Sequence, residues 1–322
     1  MKTRLFLALS PLLLLAYFAV PQMKNQPEIE TQTKPESPAP TEETFIVPIP
    51  VANPVSLSVS PETILQGEPA LITLDGLASA SAIESLTLDG KPLAVFADEG
   101  RLSALVGIDL HRTPGSHPIV LTLDDGRKIE GNIEVRQRIM ATTEFDIPEQ
   151  LGGNTPQAEE ELTSTLSQDT ILLNSITDII SGEKLWNGLF RLPLDGSPVI
   201  TDTYGYSRQT GSVNLSHNGT DFRAPLGTPV YAMNSGIVVF ADRFRNYGNT
   251  VIINHGLGLM TLSMHLSAIN VQLGDHIERG ALIAQSGNTG YSLGPHLHLS
   301  VRIGGFSIDP QKFLELIGPR EE

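Results

Sequence analysis

Two long stretches of this chain are short runs of alternating apolar and polar residues cut by glycine, proline and aspartate. That punctuation commits most of the molecule to sheets joined by tight turns. In residues 45–138 three runs end alike: Ile-Thr-Leu-Asp-Gly at 72–76, Leu-Thr-Leu-Asp-Gly at 86–90 and Leu-Thr-Leu-Asp-Asp-Gly at 121–126. A hairpin turn wants positive φ, which glycine adopts at little cost, so Asp-Gly after alternation predicts a hairpin. The three are irregularly spaced, which marks them as turn chemistry rather than a repeat. Residues 44–138 are therefore expected to form a small β-sandwich of roughly immunoglobulin-like size. The same pattern returns from Phe190, with strands expected at 229–232, 236–241, 250–254, 259–264, 281–286 and 296–303. So many short strands without long helices predict an antiparallel sheet or barrel-like domain over 190–322. The fold class is mainly β.

Over 139–189 the strand signals fade. Leu162, Leu166, Leu173, Ile176 and Ile180 recur at helical intervals, predicting an amphipathic helix over 158–180. Glu159, Glu160 and Glu161 suit its positive N-terminal end, and Gly182 follows its C-terminus. The ordinary reading is a connector packed on a neighbouring domain; the sharper one is a lid over a groove.

At the N-terminus Lys2 and Arg4 precede the uncharged, mostly apolar run 5–20, the form of an export signal. The run lies between a signal-peptide core and the ~20 residues that span a bilayer, and residues 16–20 make a poor cleavage pattern, so a signal peptide and a retained membrane anchor both stay open. Residues 21–43, rich in Pro, Glu, Gln and Thr, cannot bury enough apolar surface to order themselves and read as a linker. The protein is expected to be exported, to the periplasm or cell envelope. The net charge of −15 is concentrated in the middle of the chain, and no basic stripe exists to neutralise phosphates, which argues against a nucleic-acid partner. The 322 residues include no cysteine, so any metal must be held by nitrogen and oxygen.

Three histidine-bearing segments then carry the chemistry. His296-Leu-His298 falls in an expected strand, where residues i and i+2 face the same side and Leu297 faces the other. His217-Asn-Gly-Thr-Asp221 sets imidazole and carboxylate four apart, at a turn entering a strand. His217, Asp221 and His298 together make three protein ligands of the kind zinc accepts, with a fourth position open, the composition of a catalytic rather than a structural zinc site. No His-Glu-x-x-His helix supplies a glutamate base, which leaves His265, at a strand end, and His296 to orient the attacking water, accept its proton and steady the oxyanion. His255 and His276 read as surface residues at turns, and His111 and His117 as solvent-facing residues without a companion carboxylate motif. Arg208 reads as a structural arginine, with a substrate carboxylate as its alternative partner.

From about Asp202 to Phe313 the chain resembles the lysostaphin/LytM-type zinc metallopeptidases. The matching motifs are His-x-Gly-x-Asp-Phe at 217–222, Gly-Thr-Pro-Val at 227–230, Tyr-Gly-Asn at 247–249, His-Leu-Ser at 265–267, Gly-Asp at 274–275, Gly-Asn-Thr-Gly at 287–290 and Gly-Pro-His-Leu-His at 294–298. The resemblance implies zinc on His217, Asp221 and His298, catalytic roles for His265 and His296, a small antiparallel β-fold with a groove, and peptidoglycan stem peptides or cross-bridges as substrate. The implied activity is a zinc metallo-endopeptidase with one zinc ion per domain; the alternative is a non-catalytic wall-binding or amidase-activating module, which typically lacks one of the five residues. Ser263 departs from an aromatic position of the family, and Leu299-Ser300 from its Phe-Glu, with altered groove lining expected. The bond cut and the oligomeric state are not legible.

Overall fold

A computed structural model describes residues 54–318, apart from residues 99, 145, 180–181 and 211–212. The expected export segment 1–20 and linker 21–43 lie outside the described residues. Among the described residues no helix is long and apolar enough to cross a membrane.

Alternation in the first stretch produces two facing sheets. One runs in the order Ser56–Ser60, Pro69–Asp75, Arg101–Gly107, Phe96–Asp98; the other runs Ile64–Leu65, Lys128–Arg136, Gly115–Leu123, Ile83–Leu88, Lys91–Pro92. Their inward residues, including Ile72, Leu74, Ala104 and Val106 against Leu86, Ile119, Leu121 and Ile133, form one dry core. Asp89 and Gly90 both take positive φ, 49° and 74°, and link two antiparallel strands as the Asp-Gly signal predicts. Asp124-Asp125-Gly126 closes a second hairpin, between Gly115–Leu123 and Lys128–Arg136. Asp75-Gly76 does not close one. The chain crosses there to the other sheet, because both edges of Pro69–Asp75 are already paired, with Ser56–Ser60 and Arg101–Gly107.

The connector opens with a strand that the sequence does not announce: Thr142–Glu144 pairs in parallel with Ser207–Thr210. The helix α1 follows at Pro156–Thr177, starting two residues before the expected position. Thr155 caps it, its side chain accepting from Ala158 N, and Pro156 occupies the first turn, where no backbone donor is needed. Asp178 closes it, three residues short of the range the periodicity suggested.

The C-terminal region is built on an antiparallel sheet in the order Ile200–Asp202, Thr220–Arg223, His296–Ile303, Leu259–Leu266, Gly248–Gly256, Gly236–Phe244, His276–Ile277, with Phe306–Ile308 pairing on His296–Ile303. All six strands expected from sequence are present. One face of the sheet packs a core of Phe222, Val251, Ile253, Leu297, Leu299 and Val301, closed by Phe190 and by Phe313 of the helix α2 at Pro310–Ile317. The other face receives α1, whose Leu173 is buried among Ile252, Met260, Leu262 and Met264.

The two sheet systems join through buried contacts. Arg138 donates to Gln66 O (2.8 Å) and Asp309 Oδ2 (3.1 Å), and Gly107 passes so close to Ile303 that a Cβ there would lie 2.8 Å from its carbonyl oxygen. The described residues belong to one compact unit.

Candidate active site

Sheet register brings the central residues together. Asp221 lies directly opposite His298 across the antiparallel pair Thr220–Arg223 and His296–Ile303, and His217 sits on the turn just before that first strand. His298 Nδ1 lies 2.7 Å from Asp221 Oδ1, and His217 Nε2 lies 3.1 Å from the same oxygen and 3.2 Å from His298 Nδ1. All three residues are buried. Gly219, in the turn, is required by this convergence: a Cβ there would stand 2.4 Å from His298 Nε2.

The donor set fits a zinc ion. His217 Nδ1 donates to Thr203 O (2.7 Å), which fixes the ring and leaves the Nε2 lone pair facing the cluster. Burial holds His298 down to about 4, against the opposing pull of Asp221, so its imidazole is neutral near pH 7. Burial pushes Asp221 upward, but the neighbouring His217 and His298 outweigh it and set the carboxyl well below its usual range. Two imidazole nitrogens and a carboxylate oxygen converge. Their separations approach the ~3.4 Å edge of a tetrahedron with ~2.1 Å arms.

His265 and His296 stand beside this cluster, their ring centroids 4.9 Å apart, and His265 is 5.8 Å from His298 by the same measure. His265 Nδ1 donates to Thr289 O (2.8 Å) and His296 Nδ1 donates to Gly294 O (2.8 Å), so each ring keeps its Nε2 lone pair free. His296 Nε2 lies 3.7 Å from Asp221 Oδ1. Burial, and then His296 and His298, hold His265 down to about 3. His265 takes φ of 59°, a left-handed conformation uncommon for a non-glycine residue, at the point where its strand turns away and Gly287 packs against its carbonyl.

The structure therefore gathers all five residues singled out from the sequence. It adds Arg208 and Asp202, which the sequence reading left outside the site. Arg208 Nη2 bonds Asp221 Oδ2 at 2.7 Å and Asp202 Oδ2 at 2.6 Å, so Arg208 holds the outer oxygen of the clustered carboxylate rather than serving only the hairpin on which it sits. A sequence signal existed only in the proximity of Tyr-Gly-Tyr-Ser-Arg to His217.

Several expectations need correction. His255 is fully buried, not a surface residue: Nδ1 bonds Ser235 O and Nε2 bonds Thr261 Oγ1, both at 2.8 Å, because its strand is covered on both faces. His276 is exposed as expected. His117 does have a carboxylate companion, Asp89 at 2.9 Å, and is half-buried. His111, exposed, lines the same cavity as the cluster. Ser263 and Leu299 oppose each other on the core face, away from the cluster; only Ser300 faces it, donating to Asn218 O (2.8 Å).

A cavity of about 290 Å³ opens over the cluster, with His217, His265 and His298 in its lining. Leu166, Thr170 and Leu173 of α1 form one wall, so the connector helix borders the groove as well as packing on the sheet. Asp169 anchors it, accepting from Asn246 N (2.7 Å) and Nδ2 (2.9 Å).

Comparisons with known proteins agree with this geometry. Residues 215–310 match peptidase family M23. The chain is 36% identical to peptidoglycan DD-endopeptidase ShyA of Vibrio cholerae over 155 residues, covering 48% of this chain and 35% of that protein. It is 40% identical to lysostaphin of Staphylococcus staphylolyticus over 124 residues, covering 36% of this chain and 25% of that protein. The matches thus span about a third or less of these relatives. The crystal structure of an M23 peptidase from Pseudomonas aeruginosa superposes with a TM-score of 0.57 and 25% identity, covering 80% of this chain and 96% of that one. That likeness takes in more of the chain than the matched segment alone. The C-terminal region of this chain is a peptidase family M23 domain of the lysostaphin/LytM type.

Proposed function

We propose that this chain is an exported zinc metallo-endopeptidase that hydrolyses peptide bonds of bacterial peptidoglycan, in a stem peptide or a cross-bridge. The observation that carries the reading is the meeting of His217 Nε2, Asp221 Oδ1 and His298 Nδ1 within 3.2 Å of one another, beside two further fixed imidazoles. These three residues would hold one zinc ion. When bound, zinc would supply a Lewis acid for the scissile carbonyl and lower the pKa of a water toward about 7. The names of the relatives support the substrate class, and the apolar run 5–20 supports delivery to the cell envelope.

The chain's own side chains do the rest. His265 and His296 each commit Nδ1 to a backbone carbonyl, so neither ring can turn and each offers Nε2 as a proton acceptor. As a water oxygen attacks the carbonyl carbon, its proton passes to one of these nitrogens. The same proton is then delivered to the amine nitrogen as the C–N bond breaks. A protonated ring at either position also steadies the negative charge on the carbonyl oxygen. His296 is half-buried and the more accessible of the two to the leaving amine, while His265 is buried. Arg208 keeps Asp221 Oδ2 occupied, so Oδ1 alone faces the histidines.

Digestion of purified peptidoglycan with mass analysis of the fragments tests the proposal. The parent should release peptide fragments only with zinc, and His217→Ala should lose both the metal and the hydrolysis. Equal digestion by His217→Ala would refute the site. A zinc-loaded parent that binds the wall and cuts nothing would make this a non-catalytic wall-binding module instead.

A further inference from the structure

The groove does not end at the five clustered residues. Alternation along His296–Ile303 sets His296, His298, Ser300 and Arg302 in a row on one face while Leu297, Leu299 and Val301 enter the core. At about 3.3 Å per residue, Arg302 lies roughly 13 Å along this floor from His298. There the cavity over the cluster meets a second one of about 440 Å³, and His111, Thr170, Asn218 and Arg302 line both. Asp109, from the N-terminal sandwich, and Asp178, at the end of α1, line the second cavity together with Arg302.

Arg302 is 8% exposed. Its Nη1 donates to Asn174 Oδ1 (2.8 Å) and Thr177 Oγ1 (2.6 Å), both neutral acceptors. Its Nε is buried without a partner, and among the described residues no carboxylate makes an ion pair with it. The C-terminal end of α1 adds a partial negative charge, and Asp178 there acts on the guanidinium through space without pairing with it. A buried guanidinium left in this state is costly unless an anion completes it, and a carboxylate does so with two parallel bonds.

We propose that the second cavity is a substrate subsite for a residue carrying both a free carboxylate and a free ammonium group, the carboxylate on Arg302 and the ammonium toward Asp109 and Asp178. The pairing of charges selects this class. A purely anionic group would meet two aspartates, and a purely cationic one would meet the arginine. This inference rests on the peptidase reading and names a feature of the substrate that reading leaves open.

The test compares native muropeptides with the same peptides after amidation of their carboxylates and acetylation of their amines. The parent should favour the native peptides at least tenfold, through KM. Arg302→Gln should lose that preference, Arg302→Lys should keep part of it, and Asp178→Asn should reduce it. Asn174→Ala cuts the tie to α1 but leaves the guanidinium, and should keep the preference. If Arg302→Gln and Asn174→Ala slow both substrates alike and leave the preference intact, Arg302 is only a strut for the helix and the subsite is refuted. If the parent cleaves neither peptide, the peptidase reading fails, and calorimetry decides the subsite separately. Native peptide should then bind Arg302→Gln at least tenfold more weakly than the parent, and equal affinity would overturn the proposal.

Discussion

The N-terminal sandwich and the C-terminal sheet are both antiparallel, yet they bury different chemistry. Among the described residues of the sandwich, Glu68 and Ser103 are the buried polar side chains, and the core itself is aliphatic. The C-terminal sheet buries His217, Asp221, His255, His265, His298 and Arg302, and its strand Leu259–Leu266 is covered along its whole length. A sheet with one wet face can close on apolar residues alone. A sheet covered on both faces must find a partner for every polar group it carries, and such groups are retained where they serve a site. The difference separates scaffold from working part, and substitutions in the two regions should fail in different ways.

The largest effect is expected in the working part. His265→Ala should keep its zinc and its fold while hydrolysis falls by about 10²–10⁴, because only the proposed proton acceptor is removed. Zinc content beside turnover checks this, and loss of the metal would place His265 among the ligands instead. In the scaffold the loss should be of stability. Leu121 is fully buried between the two sheets, so Leu121→Ala should cost about 2–5 kcal/mol in denaturant unfolding and leave turnover per folded molecule unchanged. A fall in turnover of the folded protein would show that the sandwich shapes the site.

Much of this contrast is legible in the sequence, and the illegible parts have a common cause. Strand His296–Ile303 is readable because alternation alone sets His296 and His298 together, and the hairpin at Asp89-Gly90 because two residues fix their own turn. Asp75-Gly76 carries the same local signal and makes a crossover, since pairing partners far along the chain decide where a strand goes after its turn. Thr142–Glu144 is a strand only because Ser207–Thr210 lies beside it. The helix α1 announces itself by period, but nothing in its own residues says that Leu166 and Thr170 will border the histidine cluster. Ser263 looks like groove lining until register shows it opposite Leu299 in the core.

His255 departs from its expected surface position for the same reason, and its burial yields a pH test of the contrast. Burial holds its pKa down to about 4, against about 6.5 when unfolded. The unfolded chain therefore binds the proton first as pH falls. The neutral form's contribution is whole above pH 6.5 and declines by roughly 3 kcal/mol by pH 4. In His255→Gln that decline should be absent, so the stability gap between the parent and the variant should narrow from pH 7.5 to pH 4.5. Denaturant titrations of both zinc-loaded proteins measure it, and parallel pH profiles would show that His255 exchanges its proton without unfolding.

The smallest effect distinguishes support of the site from the site itself. Arg208 touches none of the atoms that would meet zinc; it occupies Asp221 Oδ2 and ties that oxygen to Asp202. Residues in this position commonly alter metal affinity by about 10–100-fold. Arg208→Met should therefore weaken zinc binding by about that factor in competition with a chelating dye, and excess zinc should restore most of the turnover. The restoration matters more than the loss, because a lost proton acceptor, the role proposed for His265, cannot be replaced by adding metal. If affinity were unchanged, the hairpin alone would hold Asp221 in place, and the buried ion pair would belong to the scaffold rather than to the working part.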